Sequence, residues 1–255
     1  GQLRFEDKVQ KYLPFPYAEI TIDQLLGNRS GLPEYMALTH KYWDTSKTIT
    51  HADVLQLYSR YQPPLVFTPG SQFSYSNAGY VVLASVVEAV SKQSFAEYVK
   101  QQIMEPAGMK DSFVYVPGQS HPQVKGIRQI GPFSFSHDLG WLDGVVGDGG
   151  IYSSVTDLFK WQQALWQGKL ISQAGLERIL TPGKLLDGTL TTYGYGWVVN
   201  PKTGVVWHNG AWVGFRSLLM YNSQNQKLGI VLNNKGFEKN AQLLETLLMV
   251  SPPHH

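Results

Sequence analysis

No cysteine occurs among the 255 residues. That excludes disulfides, thiolate metal sites and a thiol nucleophile, and it leaves the redox compartment open. An excess of charge of one sign is missing too. Lys and Arg number 21 against 19 Asp and Glu, a formal charge of +2 mixed along the chain. There is no basic stripe of the kind a phosphate backbone requires, so nucleic acid is not expected as a partner. The longest apolar run, Tyr80-Val81-Val82-Leu83-Ala84-Ser85-Val86-Val87, stops at Glu88 and is too short to span a bilayer. Also absent are a Gly-x-Ser-x-Gly elbow, a His-Glu-x-x-His pair and any serine followed three residues later by lysine. His40, His51, His121 and His137 stand singly in polar surroundings, which reads as surface; neither a metal site nor a cofactor is expected.

What is present is globular: 43% hydrophobic and 13% aromatic residues, in a length that suits one large domain or two interleaved ones. A helical turn near Asp7 stops at Pro14, and a short helix through Ile22 and Leu25 closes at Gly27. Ser30-Gly31-Leu32-Pro33 is turn chemistry. Thr50 with Asp53, Ser94 with Glu97 and Ser154 with Asp157 have the spacing of helix N-caps, and Ser172 opens one more helix. Between them a helix follows Asn77, while residues 114–146 read as loops and short strands, a length that is usually functional or mobile. From Tyr193 the period changes to two, with strands expected over 193–199, 205–207, 215–221 and 228–232, an exit turn at Asn234-Lys235-Gly236 and a closing helix over 240–250. Helices crowd the first two thirds and strands the last. The fold class is therefore α+β, an antiparallel sheet flanked by helices. Residues 1–180 form a mostly helical region and 181–255 the strands with the closing helix, one composite domain with its cleft between them.

Two stretches carry chemistry. Phe67-Thr68-Pro69-Gly70-Ser71-Gln72-Phe73-Ser74-Tyr75-Ser76-Asn77 places a phenol and a carboxamide after a Pro-Gly turn and just before a helix. A phenol relays a proton if its pKa is lowered, and a carboxamide both donates to and accepts from a substrate amide. The alternative is a surface turn with an N-cap. In Trp207-His208-Asn209-Gly210-Ala211-Trp212, glycine at 210 permits close approach of backbone and ligand, the Ala211 N–H points at an oxyanion, and His208 donates to a substrate or carries charge. The alternative is a hairpin turn with a half-buried histidine. A third stretch, Lys202-Thr203-Gly204, spells a triad of penicillin-recognising enzymes but sits where a hairpin turn belongs, so it is assigned to structure. Glu97 and Asp157 read as caps rather than a catalytic pair.

Taken in order, these residues resemble the serine β-lactamase and D,D-peptidase superfamily, in particular its class C-like branch of serine hydrolases and esterases. Tyr75-Ser76-Asn77 looks like the Tyr-x-Asn element of that branch and His208-Asn209-Gly210 like its His-x-Gly variant of Lys-Thr-Gly. Ser30-Gly31-Leu32-Pro33, Gly147-Asp148-Gly149-Gly150 and Tyr193-Gly194-Tyr195-Gly196-Trp197 stand where similar proteins carry like segments. The resemblance implies a β-lactamase/transpeptidase-like fold and acyl-enzyme chemistry on an ester, a D-amino-acid peptide or a β-lactam. By it Tyr75 moves a proton, Asn77 orients the substrate, His208 and Gly210 line its far side, and the Ala211 N–H is half of an oxyanion hole. Asn209, Trp212 and Asp148 fall to substrate binding.

Two departures qualify the resemblance. The nucleophile of the family and its partner lysine lie in a Ser-x-x-Lys element on an upstream helix. Gly1–Val9 resembles the segment after that helix, so the nucleophile helix and the first strands are expected to be absent from this chain and the chain alone to be inactive. A non-catalytic binding or scaffold protein on the same fold, or one piece of a split protein, are the alternatives. His208 also replaces a lysine, which disfavours β-lactam turnover and leans toward esters or D-amino-acid peptides. Surface left uncovered by a missing helix is expected to promote self-association. The resemblance implies a periplasmic or secreted protein, although no signal peptide is visible, and the terminal Pro252-Pro253-His254-His255 looks like the stub of a tag.

Overall fold

The structure, a computed structural model, describes residues 2–120 and 124–235. His121, Gly236 and the helix expected over 240–250 lie outside the described residues. The chain opens with a 3-10 turn, Val9–Lys11, and helix α1, Ile22–Leu26, whose Thr21 and Gln24 form a reciprocal capping box. Helix α2, Tyr35–Tyr42, follows, then α3, His51–Tyr61, closed at its start by the Thr50–Asp53 box. Helix α4, Ala78–Ser91, is the longest among the described residues. Helix α5, Phe95–Val99, starts at the Ser94–Glu97 box and runs on through a π turn into α6, Glu105–Ala107, which ends at Gly108 in the left-handed region. The capping residues expected from spacing do cap these helices. Helix α2 had no such signal, because its N-cap is Glu34 and a proline precedes it.

Short strands fill the irregular middle. β1, Phe113–Val114, pairs with β4, Ile151–Tyr152, and β2, Ile127–Ile130, forms a hairpin with β3, Phe133–Ser136. Helices α7, Val155–Trp166, and α8, Gln173–Ile179, are capped by Ser154 and Ser172. The Ser154 hydroxyl accepts the Asp157 N–H, but the Asp157 carboxylate, expected to act as a cap, does not reciprocate. Asp157 is fully buried, and its carboxylate accepts from the Asp111 N–H, the Ser112 hydroxyl and Lys160.

The last described segment is an antiparallel meander of four strands, β5 (Val198–Asn200), β6 (Val205–Trp212), β7 (Phe215–Asn222) and β8 (Lys227–Asn233), in chain order. The strand expected over 193–199 is reduced to its end. At Gly194 an added Cβ would run into the Ile179 carbonyl, and Gly196 has φ +79°, so 193–197 follows the underlying helix end instead of an extended path. Lys202-Thr203-Gly204 is the β5–β6 turn, as its sequence setting required, with Gly204 at φ +68°.

Among the described residues, the two largest of four cores hold these layers. One lies within the helical region and buries Ile22, Leu25, Tyr35, Ile49, Val54, Tyr58, Val81 and Val82, each aliphatic side chain contributing roughly 1.5–3 kcal/mol. The other lies between helices and sheet and buries Leu165, Leu176, Trp197, Val199, Val206, Leu219 and Tyr221. Among the described residues no helix is long and apolar enough to cross a membrane.

Candidate active site

Tyr75 lies in an extended loop that belongs to no sheet, so its position depends on side chains that satisfy the loop backbone. Asn28 is one. Its Oδ1 accepts the Ser76 N–H at 3.2 Å and its main-chain carbonyl accepts the Ser74 N–H at 3.0 Å, so it grips the loop on both sides of Tyr75. Glu34 is the other. One carboxylate oxygen accepts the Asn77 N–H at 3.0 Å and the Ser76 hydroxyl at 3.2 Å, and the second accepts the Tyr35 N–H at 3.0 Å. Asn77 stands at the N-cap of α4, yet its carboxamide makes no capping bond; the Ser76 hydroxyl takes the Ala78 N–H instead. The Asn77 amide is left to face Tyr75, whose hydroxyl donates to its Oδ1 over 3.4 Å.

The second stretch is a strand end. β5 covers β6 only from Val205 to Trp207, and among the described residues no strand pairs with the same edge over 208–212. Counting alternation back from the two-residue turn after Trp212, the backbone groups of Ala211 point away from β7 toward that open edge. His208, Gly210 and Trp212 share one face of the strand, Asn209 and Ala211 the other. Asn209 and Ala211 are exposed. Glycine at 210 also meets a constraint within the sheet: an added Cβ would lie 2.5 Å from the Oγ of Ser217 across the β6–β7 pair. Trp212 does not offer its indole N–H to a ligand, because that group donates to Asp143 at 2.7 Å and ties the strand end to the 140–144 turn.

The structure brings the two stretches together. The Tyr75 ring centroid is 6.0 Å from that of His208 and 6.1 Å from that of Tyr193, and the Tyr193 hydroxyl is 3.0 Å from His208 Nε2. Tyr75 is 51% exposed at the mouth, whereas Tyr193 is sealed beneath it. Burial drives the Tyr75 phenol up, and the carboxylates of Asp148 and Glu34 add to the effect. A lowered phenol is therefore not what this chain provides. Burial also pushes His208 down from its ordinary value, so the imidazole is neutral at pH 7. Asp148 accepts the Tyr35 hydroxyl at 2.9 Å, and burial raises its carboxyl to about 6.

Beside His208 and Asn209 a cavity of about 650 Å³ opens between helices and sheet, walled by Ile103, Leu158, Trp161, Leu165 and Trp197. Among the described residues no group of three or more His, Asp or Glu side chains is placed to hold a metal ion. His51, read from sequence as a surface residue, is largely buried and bonded to Glu88 at 2.9 Å, which ties α3 to α4. Sequence reading missed Asn28, Glu34 and Asp143, since none lies in a motif and each acts across a distance in sequence, and it gave Tyr193, part of a family-like segment, no role at the site.

Known proteins resemble this chain in sequence and in fold. The family model described as Beta-lactamase matches residues 1–249. Penicillin-binding protein 4* of Bacillus subtilis is 34% identical over 256 residues, covering 92% of this chain and 56% of that protein. A D-aminopeptidase of Cereibacter sphaeroides is 26% identical, covering 89% of this chain and 45% of its own length. The chain thus spans about half the length of these curated relatives. A penicillin binding protein from Bacillus halodurans has the same fold, with a TM-score of 0.83, 24% identity, and coverage of 96% of this chain and 78% of the other.

Proposed function

The chain belongs to the Beta-lactamase family, and from that premise we propose that it supplies the proton-transfer and substrate-binding side of a serine hydrolase. The reaction is acyl transfer to a serine from a Ser-x-x-Lys element outside these 255 residues, with an ester, a D-amino-acid peptide or a β-lactam as acyl donor. The observation that carries this reading is the 6.0 Å separation of the Tyr75 and His208 rings beside the open edge of β6. The apolar cavity next to His208 would receive the helix that brings the serine. We read residues 1–180 and 181–255 as one composite unit with the cleft between them.

In this scheme the attacking serine loses its proton toward the Tyr75–lysine pair, and the leaving group gains it. The Tyr75 phenol needs that lysine, since in this chain its neighbours hold it high, and an ammonium alongside would bring it down. Asn77 orients the substrate amide with a carboxamide not used for capping. The Ala211 N–H supplies half of the oxyanion hole, a donor of the kind whose removal costs about 2.7–4 kcal/mol of transition-state stabilisation. Asn209, the ring of Trp212 and the charge of Asp148 shape the substrate site, and Gly210 keeps the strand face clear. A neutral His208 gives no ammonium for a substrate carboxylate, which favours esters and D-amino-acid peptides; the D-aminopeptidase relative supports the latter.

A second reading, a binding or scaffold protein on the same fold, is favoured by one observation, the absence of Ser-x-x-Lys from these residues. The gene sequence ahead of Gly1 separates the two. A Ser-x-x-Lys element there, and labelling of the longer product by a fluorophosphonate probe, are the expected results. A reading frame without it, or no labelling, would refute the hydrolase.

A further inference from the structure

The hairpin of β2 and β3 has no third strand beside it among the described residues and supplies no side chain to the candidate cleft. Residues directly opposite in an antiparallel pair share a face, and so do alternate residues along each strand. The register Arg128↔Phe135 and Ile130↔Phe133 therefore puts Arg128, Ile130, Phe133 and Phe135 on one face, while Gln129, Ser134 and Ser136 share the other with Ile127. Such sorting suits a hairpin that buries its aromatic face. Yet Ile130 is 54%, Phe133 66% and Phe135 51% exposed. The tip between the strands, Gly131-Pro132, adds no polar side chain.

Charge and attachment bear on what covers that face. No Asp or Glu occurs between Asp111 and Asp138, whereas Lys125 and Arg128 lie in that stretch. Both are exposed, and neither joins an ion pair among the described residues. Lys235 is brought near them, because the Asn234 carbonyl accepts the Ile127 N–H at 2.7 Å and the Asn234 amide donates to the Lys125 carbonyl at 2.8 Å. Asp138, the next acid along the chain, has one carboxylate oxygen closed to solvent. The base of the hairpin is pinned: the His137 carbonyl accepts the Gly214 N–H at 2.8 Å, and the His137 N–H donates to the Gly126 carbonyl at 2.9 Å. Beyond that clamp every residue from Arg128 to His137 is exposed, so the hairpin projects. Three apolar side chains are far less than the roughly 800 Å² per partner of a stable protein interface. An apolar tip flanked by unpaired cations is instead complementary to the boundary between anionic head groups and acyl chains.

We propose that the β2–β3 hairpin docks the protein on an anionic lipid surface: Ile130, Phe133 and Phe135 enter the interface, and Lys125, Arg128 and Lys235 lie against its phosphate head groups. The contact is peripheral and needs no spanning segment. Because the hairpin base is bonded to the turn that follows Trp212, docking holds the open edge of β6 close to the lipid. The proposal is independent of the hydrolase reading, and its test measures no catalysis.

Co-sedimentation of the full gene product with vesicles of phosphatidylcholine and phosphatidylglycerol, at roughly three to one, is compared with phosphatidylcholine alone. The expected result is stronger partition onto the anionic vesicles. Arg128→Gln and Lys125→Gln should each weaken it about five-fold, and Phe133→Ser with Phe135→Ser at least about ten-fold. These side chains are exposed, so thermal melting of each variant should match wild type and exclude misfolding as the cause. No partition, equal partition onto neutral vesicles, or partition that the paired Phe133→Ser and Phe135→Ser changes leave intact would overturn the proposal. Self-association in light scattering that the same pair abolishes, without vesicle binding, would also overturn it by assigning the face to a second copy of the chain.

Discussion

The two halves of the candidate cleft are held in place by different means. The Tyr75 loop has no ladder; the Ser76 and Asn77 N–H groups end on the side chains of Asn28 and Glu34, which come from the segment between α1 and α2. The His208 strand is held by its β7 partner from Val205 to Trp212, through backbone groups that any residue supplies. Positions that support the loop are therefore chemically particular, and positions that support the strand are constrained mainly by size. Substitutions ought to divide along the same line.

The largest effect is expected one step behind the loop, where Arg29 joins the helical region to the segment before the sheet. Its guanidinium is buried, pairs with Asp23 at 2.6 Å and donates to the Lys184 carbonyl at 2.7 Å. Asp23→Ala removes one partner of a buried pair and should cost about 3–5 kcal/mol in chemical denaturation; a loss under about 1 kcal/mol would mean that the particular chemistry of this region matters little.

Asp148 sharpens the comparison through pH. Burial raises its folded pKa to about 6 from an ordinary 3.8, so the folded state holds the proton more tightly than the unfolded state. Its contribution is fully present below pH 4 and is lost as pH rises to about 6, at most about 3 kcal/mol over that window. Asp148→Asn, which keeps an acceptor for Tyr35, should flatten the stability profile between pH 4 and 6 relative to wild type. Parallel profiles would place the titration elsewhere.

Glu34→Ala comes next. It leaves the Asn77 and Tyr35 N–H groups without their acceptor, for an expected loss of about 1–3 kcal/mol, and hydrogen exchange at residues 74–77 should accelerate. Smallest is Gly210→Ala on the strand. Its methyl group meets only the Ser217 hydroxyl, so about 1 kcal/mol should be lost and Ser217→Ala in the same chain should restore it, whereas failure of that rescue would show that the strand end is constrained by something other than size.

What sequence disclosed follows the same division. Local signals were legible. The Thr50–Asp53 and Ser94–Glu97 boxes, the α4 start at Asn77, the period-two strands and the Lys202-Thr203-Gly204 turn each depend on residues within a few positions of one another. The pairing of Tyr75 with His208 followed from a resemblance, not from local pattern. Interactions across long separations were not legible. Glu34 meets Asn77 across 43 positions and Trp212 meets Asp143 across 69, and no spacing rule links such pairs. The constraint that Ser217 places on Gly210 was not legible, because the two are neighbours only once β6 and β7 are in register. The direction of the Tyr75 shift was missed because it comes from burial in the folded chain, with Asp148 and Glu34 adding to it from separate segments.

The central claim is that Tyr75 and the β6 edge serve one acyl transfer. Its most direct measurement is the rate at which the longer gene product forms a covalent acyl adduct with a D-amino-acid ester, followed by intact mass in wild type and Tyr75→Phe. The account predicts a single adduct on a serine ahead of Gly1, forming about 10²–10⁴ times more slowly without the phenol, the range for a general acid–base group. Equal rates in the two proteins, or no adduct in either, would contradict it.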